Sequence, residues 1–202
     1  MSTLDPETRA SLLIKLRDNS DVEAWEDFTQ LYTPVIYRAA RKLGLQTADA
    51  DNVVQEVLLA VSKSIHQWLD RDNQAGFRGW LFRIARNKTI DLLTRKATRP
   101  FAKHDYGSSF EWNEVAQQES AAATHFEFEY QWELFTQAAA EVRESAAPST
   151  WQAFWLTAIE GRSISDTAET LGVREGMVYL SRCRIMDRIR KLIQQWEGET
   201  TR

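Results

Sequence analysis

The stretch from Phe77 to Lys96, FRGWLFRIARNKTIDLLTRK, constrains the fold most, because its side chains separate into two faces only if it is helical. At about 100° per residue, the apolar arc contains Phe77, Leu81, Ile84, Ala85 and Leu92. The opposite arc contains Arg83, Arg86, Asn87 and Thr94, with Ile90 among them. The pattern predicts an amphipathic helix that packs on a core by its apolar arc.

The polar face of this helix is basic rather than mixed in charge. Between Arg83 and Arg99, six basic residues stand against one acid, Asp91. Arginine binds phosphates and stacks on bases, and an asparagine amide both donates and accepts hydrogen bonds on a base edge. The candidate nucleic-acid residues are Arg83, Arg86, Asn87, Lys88 and Trp80. The alternative is a solvated helix face with Trp80 in the core, and for Trp80 we favour packing.

Composition favours helices along the whole chain. Glycine (8) and proline (4) are scarce in 202 residues, whereas good helix formers such as Ala, Leu and Glu are plentiful, so we predict an all-α fold. No apolar run approaches the roughly 18 residues of a membrane span, and the first residues do not resemble a signal peptide. The single cysteine, Cys183, excludes an internal disulfide and a cysteine-rich zinc site, so we expect a cytoplasmic protein.

Charge is segregated along the chain, although the formal net charge is only −4. From residue 104 to residue 142 there are eight acids and neither lysine nor arginine, while both flanking regions are locally basic. Residues 100–123 also lack periodicity and contain GSS and ESAAA, which predicts a linker with little fixed structure. The predicted organisation is a helical domain at 9–99, the linker at 100–123 and a second helical domain at 124–197.

The segment from Ser163 to Trp196 has the spacing of a helix-turn-helix motif. A short helix is followed by the turn Leu171-Gly172-Val173 and then by a longer helix from about Arg174. One small core is predicted from Ile164, Ala168, Leu171, Val173, Val178, Ile185 and Ile189. The residues predicted to reach bases or phosphates are Arg174, Glu175, Tyr179, Arg182 and Arg184. An ordinary αα-hairpin without DNA contacts is the alternative.

Three stretches together resemble the extracytoplasmic-function sigma factors of bacterial RNA polymerase. DNVVQEVLLAV at 51–61 resembles the D-x-V-Q-E-x-F segment of sigma region two. Residues 77–96 resemble the F-x-x-W-L-x-R-I-A-x-N-x-x-x-D-x-x-R signature that follows it, and residues 155–192 resemble region four. The resemblance covers about residues 10–99 and 125–196. It implies two small helical domains in a protein that directs core polymerase to specific promoters and assists DNA opening.

The resemblance also implies roles for particular residues. The polar face implied to dock on the clamp helices of polymerase consists of Asp51, Asn52, Gln55 and Glu56, which a solvated helix face explains equally well. The loop at 69–77, with Arg83, Arg86, Asn87 and Lys88, is implied to bind the minus-ten promoter element as it melts. The segment from Arg174 to Arg184 is implied to bind the minus-thirty-five element as a duplex. The acidic linker is implied to thread a basic polymerase channel, with a solubilising spacer as the alternative.

Region four departs from its relatives at the recognition helix. Arg174-Glu175 stand where many relatives carry serine and a small residue, and Tyr179 and Leu180 stand where relatives often have a basic or hydroxyl residue. The base preference at the upstream element is therefore open.

The predicted partners are core RNA polymerase and promoter DNA, with an anti-sigma factor as a further candidate. The sequence shows no catalytic nucleophile, metal cluster or phosphate loop, so we predict neither an enzyme nor a cofactor. Two rival hypotheses are a stand-alone helix-turn-helix regulator and a helical adaptor or sigma-sequestering protein.

Overall fold

A computed structural model of the chain describes residues 9–70, 76–97 and 119–198, and these residues form helices without a strand. The α-helices are α1 Arg9–Lys15, α2 Val22–Lys42, α3 Thr47–Leu69, α4 Phe77–Ala97, α5 Glu119–Ser145, α6 Pro148–Phe154, α7 Ile164–Leu171 and α8 Glu175–Gly198, and a π-helical turn, Trp155–Ile159, follows α6 directly. The predicted all-α fold is confirmed. None of the helices in these ranges is long and apolar enough to cross a membrane.

The described chain divides into two compact units, an N-terminal unit from Ser11 to Glu133 and a C-terminal unit from Leu134 onward. The division falls within α5, whereas the sequence predicts the boundary in a linker at 100–123. Most of that linker lies outside the described residues, but α5 already begins at Glu119, so residues 119–123 are helical and the linker prediction is wrong there. The physical reason is the run Ala121 to Ala123, because alanine has the highest helix propensity.

The N-terminal unit is built around the apolar faces of α2, α3 and α4. Asp21 caps α2 by accepting a hydrogen bond from the Ala24 amide at 3.0 Å. The helix continues through Pro34 and ends before Gly44, which has a φ of 97°. The fully buried side chains include Phe28, Val35, Ile36, Val57, Val61, Ile65 and Leu81. These confirm the apolar faces that the 3.6-residue periodicity predicts for the three helices.

Helix α4 is buried on a second side that the sequence pattern does not predict. Phe82 is 7% exposed, and its ring centroid lies 5.6 Å from that of Phe126 in α5. Thr89 is also buried, and its hydroxyl donates to the Ala85 carbonyl at 2.9 Å. Within the N-terminal unit, α4 therefore packs on α2 and α3 by one side and on the first half of α5 by another.

The C-terminal unit contains two apolar clusters instead of the single core predicted. Ile185 and Ile189 of α8 pack with Phe154 of α6 and with α5 residues Ala138, Ala139 and Val142. Ala153, Ala168 and Val178 form the smaller cluster between α6, α7 and α8, with Ile164 and Leu171 packed against it. Val173 is 40% exposed, so its predicted place in the core is wrong, because it lies in the turn outside both helices.

The turn between α7 and α8 has the geometry that the sequence predicts. The Ser163 hydroxyl begins α7 by accepting a hydrogen bond from the Asp166 amide at 3.0 Å. Gly172 ends the helix with a φ of 65°, a conformation that side chains with a Cβ rarely adopt. The amide of Val173 then donates to the Ala168 carbonyl at 3.0 Å. These caps fix where α8 starts relative to α7.

Candidate nucleic-acid interface

The predicted nucleic-acid residues of α4 divide into an exposed pair and a partnered group. Arg83 and Asn87 are both exposed. They are four residues apart, so they are neighbours on one face of the helix. Lys88 is half-buried and forms an ion pair with Glu56 of α3, with 3.3 Å between Nζ and Oε2. Arg86 is half-buried. The structure therefore leaves Arg83 and Asn87 as the most accessible part of the predicted set.

Trp80 belongs to an aromatic cluster at the start of α4. Its ring centroid lies 5.8 Å from that of Trp68 and 5.5 Å from that of Phe77. Phe77 in turn packs edge-on against Phe28 and Tyr32 of α2. This cluster fixes the first turn of α4 against α2 and α3. The packing that the sequence favours for Trp80 agrees with this position, and its contact with DNA stays a prediction.

The predicted docking face lies on α3, where Asp51, Asn52 and Gln55 are exposed and Glu56 is half-buried. Leu59, one turn further along, is 55% exposed, so a large apolar side chain lies beside the polar group. The Glu56–Lys88 ion pair brings this face next to the basic residues of α4. The two sites predicted separately from the sequence are therefore adjacent on one surface of the N-terminal unit.

Two further basic residues of α4 have acidic partners inside the N-terminal unit. Lys96 forms an ion pair with the nearly buried Asp49 at the start of α3. Arg78 pairs with Glu127 at 2.9 Å and lies over the Tyr130 ring, 4.5 Å from its centroid. Burial, the largest single influence, lowers the pKa of Arg78, but the charges of Tyr130 and Glu127 outweigh it and raise the pKa above its usual value. The sequence alone therefore suggests more unpaired positive charge on α4 than the structure shows.

The acidic segment of the sequence supplies Glu127 and further partners. Glu129 and Glu133 of α5 both pair with Arg38 of α2, the latter at 3.1 Å. The stacked rings of Tyr32 and Tyr130, 5.8 Å apart, lie between the same two helices. The acids at 127, 129 and 133 are therefore engaged within the N-terminal unit. The sequence missed these contacts because pairs separated by 49 to 95 positions leave no local pattern.

The predicted DNA-contacting residues of α8, and Arg174 just before its first residue, are all exposed. Arg174, Glu175, Tyr179, Arg182 and Arg184 are exposed, and Tyr179 is exposed by 57%. The opposite side of α8 carries the buried residues Val178, Ser181, Ile185 and Ile189. Among the residues that the structure describes, no ion pair involves any of these three arginines. Their guanidinium groups are therefore available to an external anion.

The same surface of α8 carries features that the sequence analysis did not single out as a site. Met177 is 51% exposed and Leu180 is 46% exposed, beside Tyr179. Gly176 is also exposed, and a Cβ added to it meets no heavy atom within 4 Å. The exposure of these apolar side chains is predictable from the sequence, because the helical period places Met177, Tyr179 and Leu180 off the buried face of α8. Apolar side chains at exposed positions of a helix-turn-helix therefore mark this surface.

Comparison with known proteins matches part of this chain to a protein family. The sigma-70 region 2 family matches residues 28–99, a range that includes most of α2, all of α3 and all of α4. RNA polymerase sigma factor CnrH of Cupriavidus metallidurans is 31% identical over 98 residues, covering 48% of this chain and 50% of CnrH. ECF RNA polymerase sigma factor SigE of Mycolicibacterium smegmatis is 25% identical over 199 residues, covering 97% of this chain and 72% of SigE.

A further relative and a solved structure are also sigma factors. ECF RNA polymerase sigma factor RpoE of Cereibacter sphaeroides is 31% identical over 90 residues, covering 45% of this chain and 48% of RpoE. For CnrH and RpoE, the match thus spans about half of the relative. A solved structure of CnrH in complex with the cytosolic domain of CnrY has a TM-score of 0.36 at 21% identity, covering 91% of this chain and 96% of CnrH.

The matched region and the observed fold agree with the motifs on α3 and α4. The region 2 match includes the Glu56–Lys88 contact and the exposed pair Arg83 and Asn87. Residues 28–99 thus match sigma region 2 on helices α2 to α4, and the chain is similar to sigma factors of bacterial RNA polymerase, several of them of the extracytoplasmic-function type.

Proposed function

We propose that this chain directs core RNA polymerase to specific promoters and assists DNA opening during transcription initiation. The observation that carries the proposal is the region 2 match over 28–99, on which Arg83 and Asn87 stand exposed side by side. This is the role of an initiation factor and not of an enzyme. It places the chain with polymerase in the cytoplasm.

The exposed face of α3 is proposed to dock on core polymerase. Asp51, Asn52 and Gln55 supply polar groups, and Leu59 supplies an apolar side chain that a partner surface can cover. Protein interfaces combine an apolar centre with a polar rim, and this mixture fits that description. Glu56 contributes to the rim while it holds Lys88 in place.

Helix α4 is proposed to bind the downstream promoter element after its strands separate. A base that leaves the stack needs hydrogen-bonding groups and a surface to stack on. The Asn87 amide donates and accepts on a base edge, and Arg83 is close enough along the helix to bind an adjacent phosphate or base. Arg86 and Lys88 are half-buried neighbours of this pair, and Trp80 holds the start of α4 in place by packing against Trp68 of α3.

Helix α8 is proposed to enter the major groove of the upstream element. In a helix-turn-helix, the second helix presents the residues of its N-terminal turns to base edges. Glu175 and Tyr179 occupy those turns, and Arg174, Arg182 and Arg184 surround them as phosphate ligands. Binding of an intact duplex by α8 and of opened DNA by α4 gives the two helices different tasks.

The decisive experiment is transcription in vitro from a genomic promoter library, using core polymerase with and without the full chain. Promoter-directed transcripts that need the chain support the proposal. Tight operator binding in the absence of polymerase, with no such transcripts, contradicts it in favour of a stand-alone regulator. No promoter preference at all contradicts it in favour of a protein-binding adaptor.

The docking role has its own test. Replacing Gln55 and Glu56 with lysine is expected to reduce the affinity for core polymerase. The first change adds a positive charge to the proposed face, and the second reverses a negative charge. Gln67→Lys, also exposed on α3, is the matched control and is expected to bind core normally. An unchanged affinity of the double variant would show that the docking face is elsewhere. An anti-sigma factor as a further partner stays a prediction.

A further inference from the structure

The outward face of α8 carries a group of uncharged side chains over its first turns, where a DNA-reading helix usually carries hydrogen-bonding ones. Apart from the charged residues Glu175 and Arg182, the exposed residues there are Gly176, Met177, Tyr179, Leu180 and Cys183. None of these five carries a formal charge, and the tyrosine hydroxyl is the single oxygen among their side chains. We call these five residues the apolar strip. The pairings that distinguish bases by two hydrogen bonds need Arg, Lys, Asn or Gln, and the strip contains none of these.

Positive charge surrounds the apolar strip. Arg174 lies at its N-terminal end, and Arg184 lies one turn beyond Leu180. At about 100° per residue, Arg182 lies next to Tyr179, on the edge that also carries Glu175. No ion pair involves these three arginines in the described part of the chain. Apolar side chains with several arginines around them are complementary to apolar groups that lie between anionic ones.

Gly176 leaves the first turn of α8 without a side chain on this face. A Cβ at this position meets no heavy atom of the chain within 4 Å, so the packing of the protein does not require glycine. Its φ lies outside the left-handed range, so the backbone does not require glycine either. Gly176 is the second residue of α8, and glycine is commonly used where a backbone approaches a ligand closely. The empty space beside Gly176 therefore fits a bound surface outside the chain.

We propose that the apolar strip recognises the 5-methyl groups of thymines in the major groove of the upstream promoter element. The major groove is lined by phosphates on both walls, and thymine methyls are the apolar groups that it presents to a protein. Met177 and Leu180 contact the methyls, Gly176 allows the helix to approach them, and the bordering arginines bind phosphates. This inference rests on the proposed function and specifies what its upstream contact distinguishes.

The test uses the full chain with core polymerase on promoters found in the library experiment. Each thymine of the upstream element is replaced in turn by 2′-deoxyuridine, which lacks the methyl group but keeps every hydrogen-bonding group. We expect holoenzyme affinity to fall about threefold to tenfold at each contacted thymine, the value of one buried methyl group or somewhat more. The other thymines of the same duplex serve as internal controls.

The protein side of the contact is tested with Met177→Ala and Leu180→Ala. Each variant is expected to lose the preference for thymine over deoxyuridine at its own position, a coupling that a change in DNA shape alone does not produce. Gly176→Ala is expected to weaken promoter affinity without lowering the melting temperature, since its methyl group meets open space in the free chain. Gln194→Ala, exposed further along α8, is the matched control and should change neither quantity.

The outcomes separate this inference from the proposed function. Promoter-directed transcription with equal affinities for thymine and deoxyuridine at every upstream position overturns the inference and leaves the proposed function intact. The apolar strip then covers a protein partner instead of DNA. Failure to obtain any promoter-directed transcript overturns the proposed function and this inference with it.

Discussion

Helices α4 and α8 are both proposed to contact DNA, but the protein holds them differently. α4 is buried on two sides, and several of its basic residues have acidic partners: Arg78 with Glu127, Lys88 with Glu56 and Lys96 with Asp49. α8 is buried along one side, and its residues Arg182 and Arg184 are exposed, as is Arg174 just before it. The accessible polar surface of α4 is small and fixed, whereas that of α8 is a broad exposed ridge.

This difference matches the two kinds of DNA that the helices are proposed to bind. A separated base is captured by a few groups held at fixed positions, and the packing of α4 on both sides supplies that rigidity. A duplex is bound over a long groove by many contacts to phosphates, and an exposed helix with several free arginines supplies those. The degree of burial of each helix therefore indicates its task better than the number of its basic residues.

The largest effect is expected from removing a buried side chain of α6 that packs against α8. Phe154→Ala should destabilise the C-terminal unit by about 3–5 kcal/mol, because Phe154 is fully buried against Ile185 and Ile189. The neighbouring Trp155→Ala should cost less than about 1 kcal/mol, because Trp155 is 41% exposed. Hydrogen exchange of the α8 amides measures both. Equal losses would show that α8 is not held by the α6 side that we describe.

The next effect concerns the contacts of α5 with α2 and α4. Glu129→Gln should destabilise the N-terminal unit by about 1–3 kcal/mol, because it removes the nearly buried charge that pairs with Arg38 of α2. Glu127→Gln on the same helix should cost less than about 1 kcal/mol, since Glu127 and Arg78 are both close to half exposed. Urea unfolding followed by exchange of the α4 amides compares them. If Glu127→Gln proved the more costly change, the docking of α5 would differ from the one observed.

A smaller effect should separate opening from binding. Asn87→Ala is expected to slow promoter opening by about tenfold, the value of one good base-specific hydrogen-bonded contact, while the initial binding to duplex promoter stays within twofold or so. Permanganate reactivity of unpaired thymines measures opening, and a mobility shift at low temperature measures duplex binding. Thr94→Ala, on the polar arc two turns further along, is the control. Equal losses in both assays would count against a melting role for α4.

The smallest effect concerns Lys88. Lys88→Met should change the free energy of unfolding by no more than about 0.5 kcal/mol, because its ion pair with Glu56 is 3.3 Å long and partly exposed. The aliphatic part of the side chain is retained by methionine, so packing against α3 is preserved. Thermal unfolding of the full chain provides the measurement. A loss of several kcal/mol would mean that the α3–α4 contact depends on this pair rather than on the apolar core.

The helices and the apolar faces were predictable because each helix buried on one side keeps a 3.6-residue period. Phe82 and Thr89 were missed because burial on two sides removes the single stripe from α4. The turn was predictable from Gly172, whose positive φ follows from its place after α7. The partners of Arg38 and Arg78 were not predictable, because they come from α5, far along the chain. The accessible pair Arg83 and Asn87 emerged only once those partners were known.

Site-specific photo-cross-linking in the open promoter complex can show which DNA each of the two helices contacts. A photoreactive amino acid is placed at Asn87 in one variant and at Tyr179 in another, and the cross-linked nucleotides are mapped. The account predicts that position 87 cross-links to unpaired bases of the opened downstream element, while position 179 cross-links to the intact upstream duplex. Cross-links from position 87 only to duplex DNA or only to protein would contradict it.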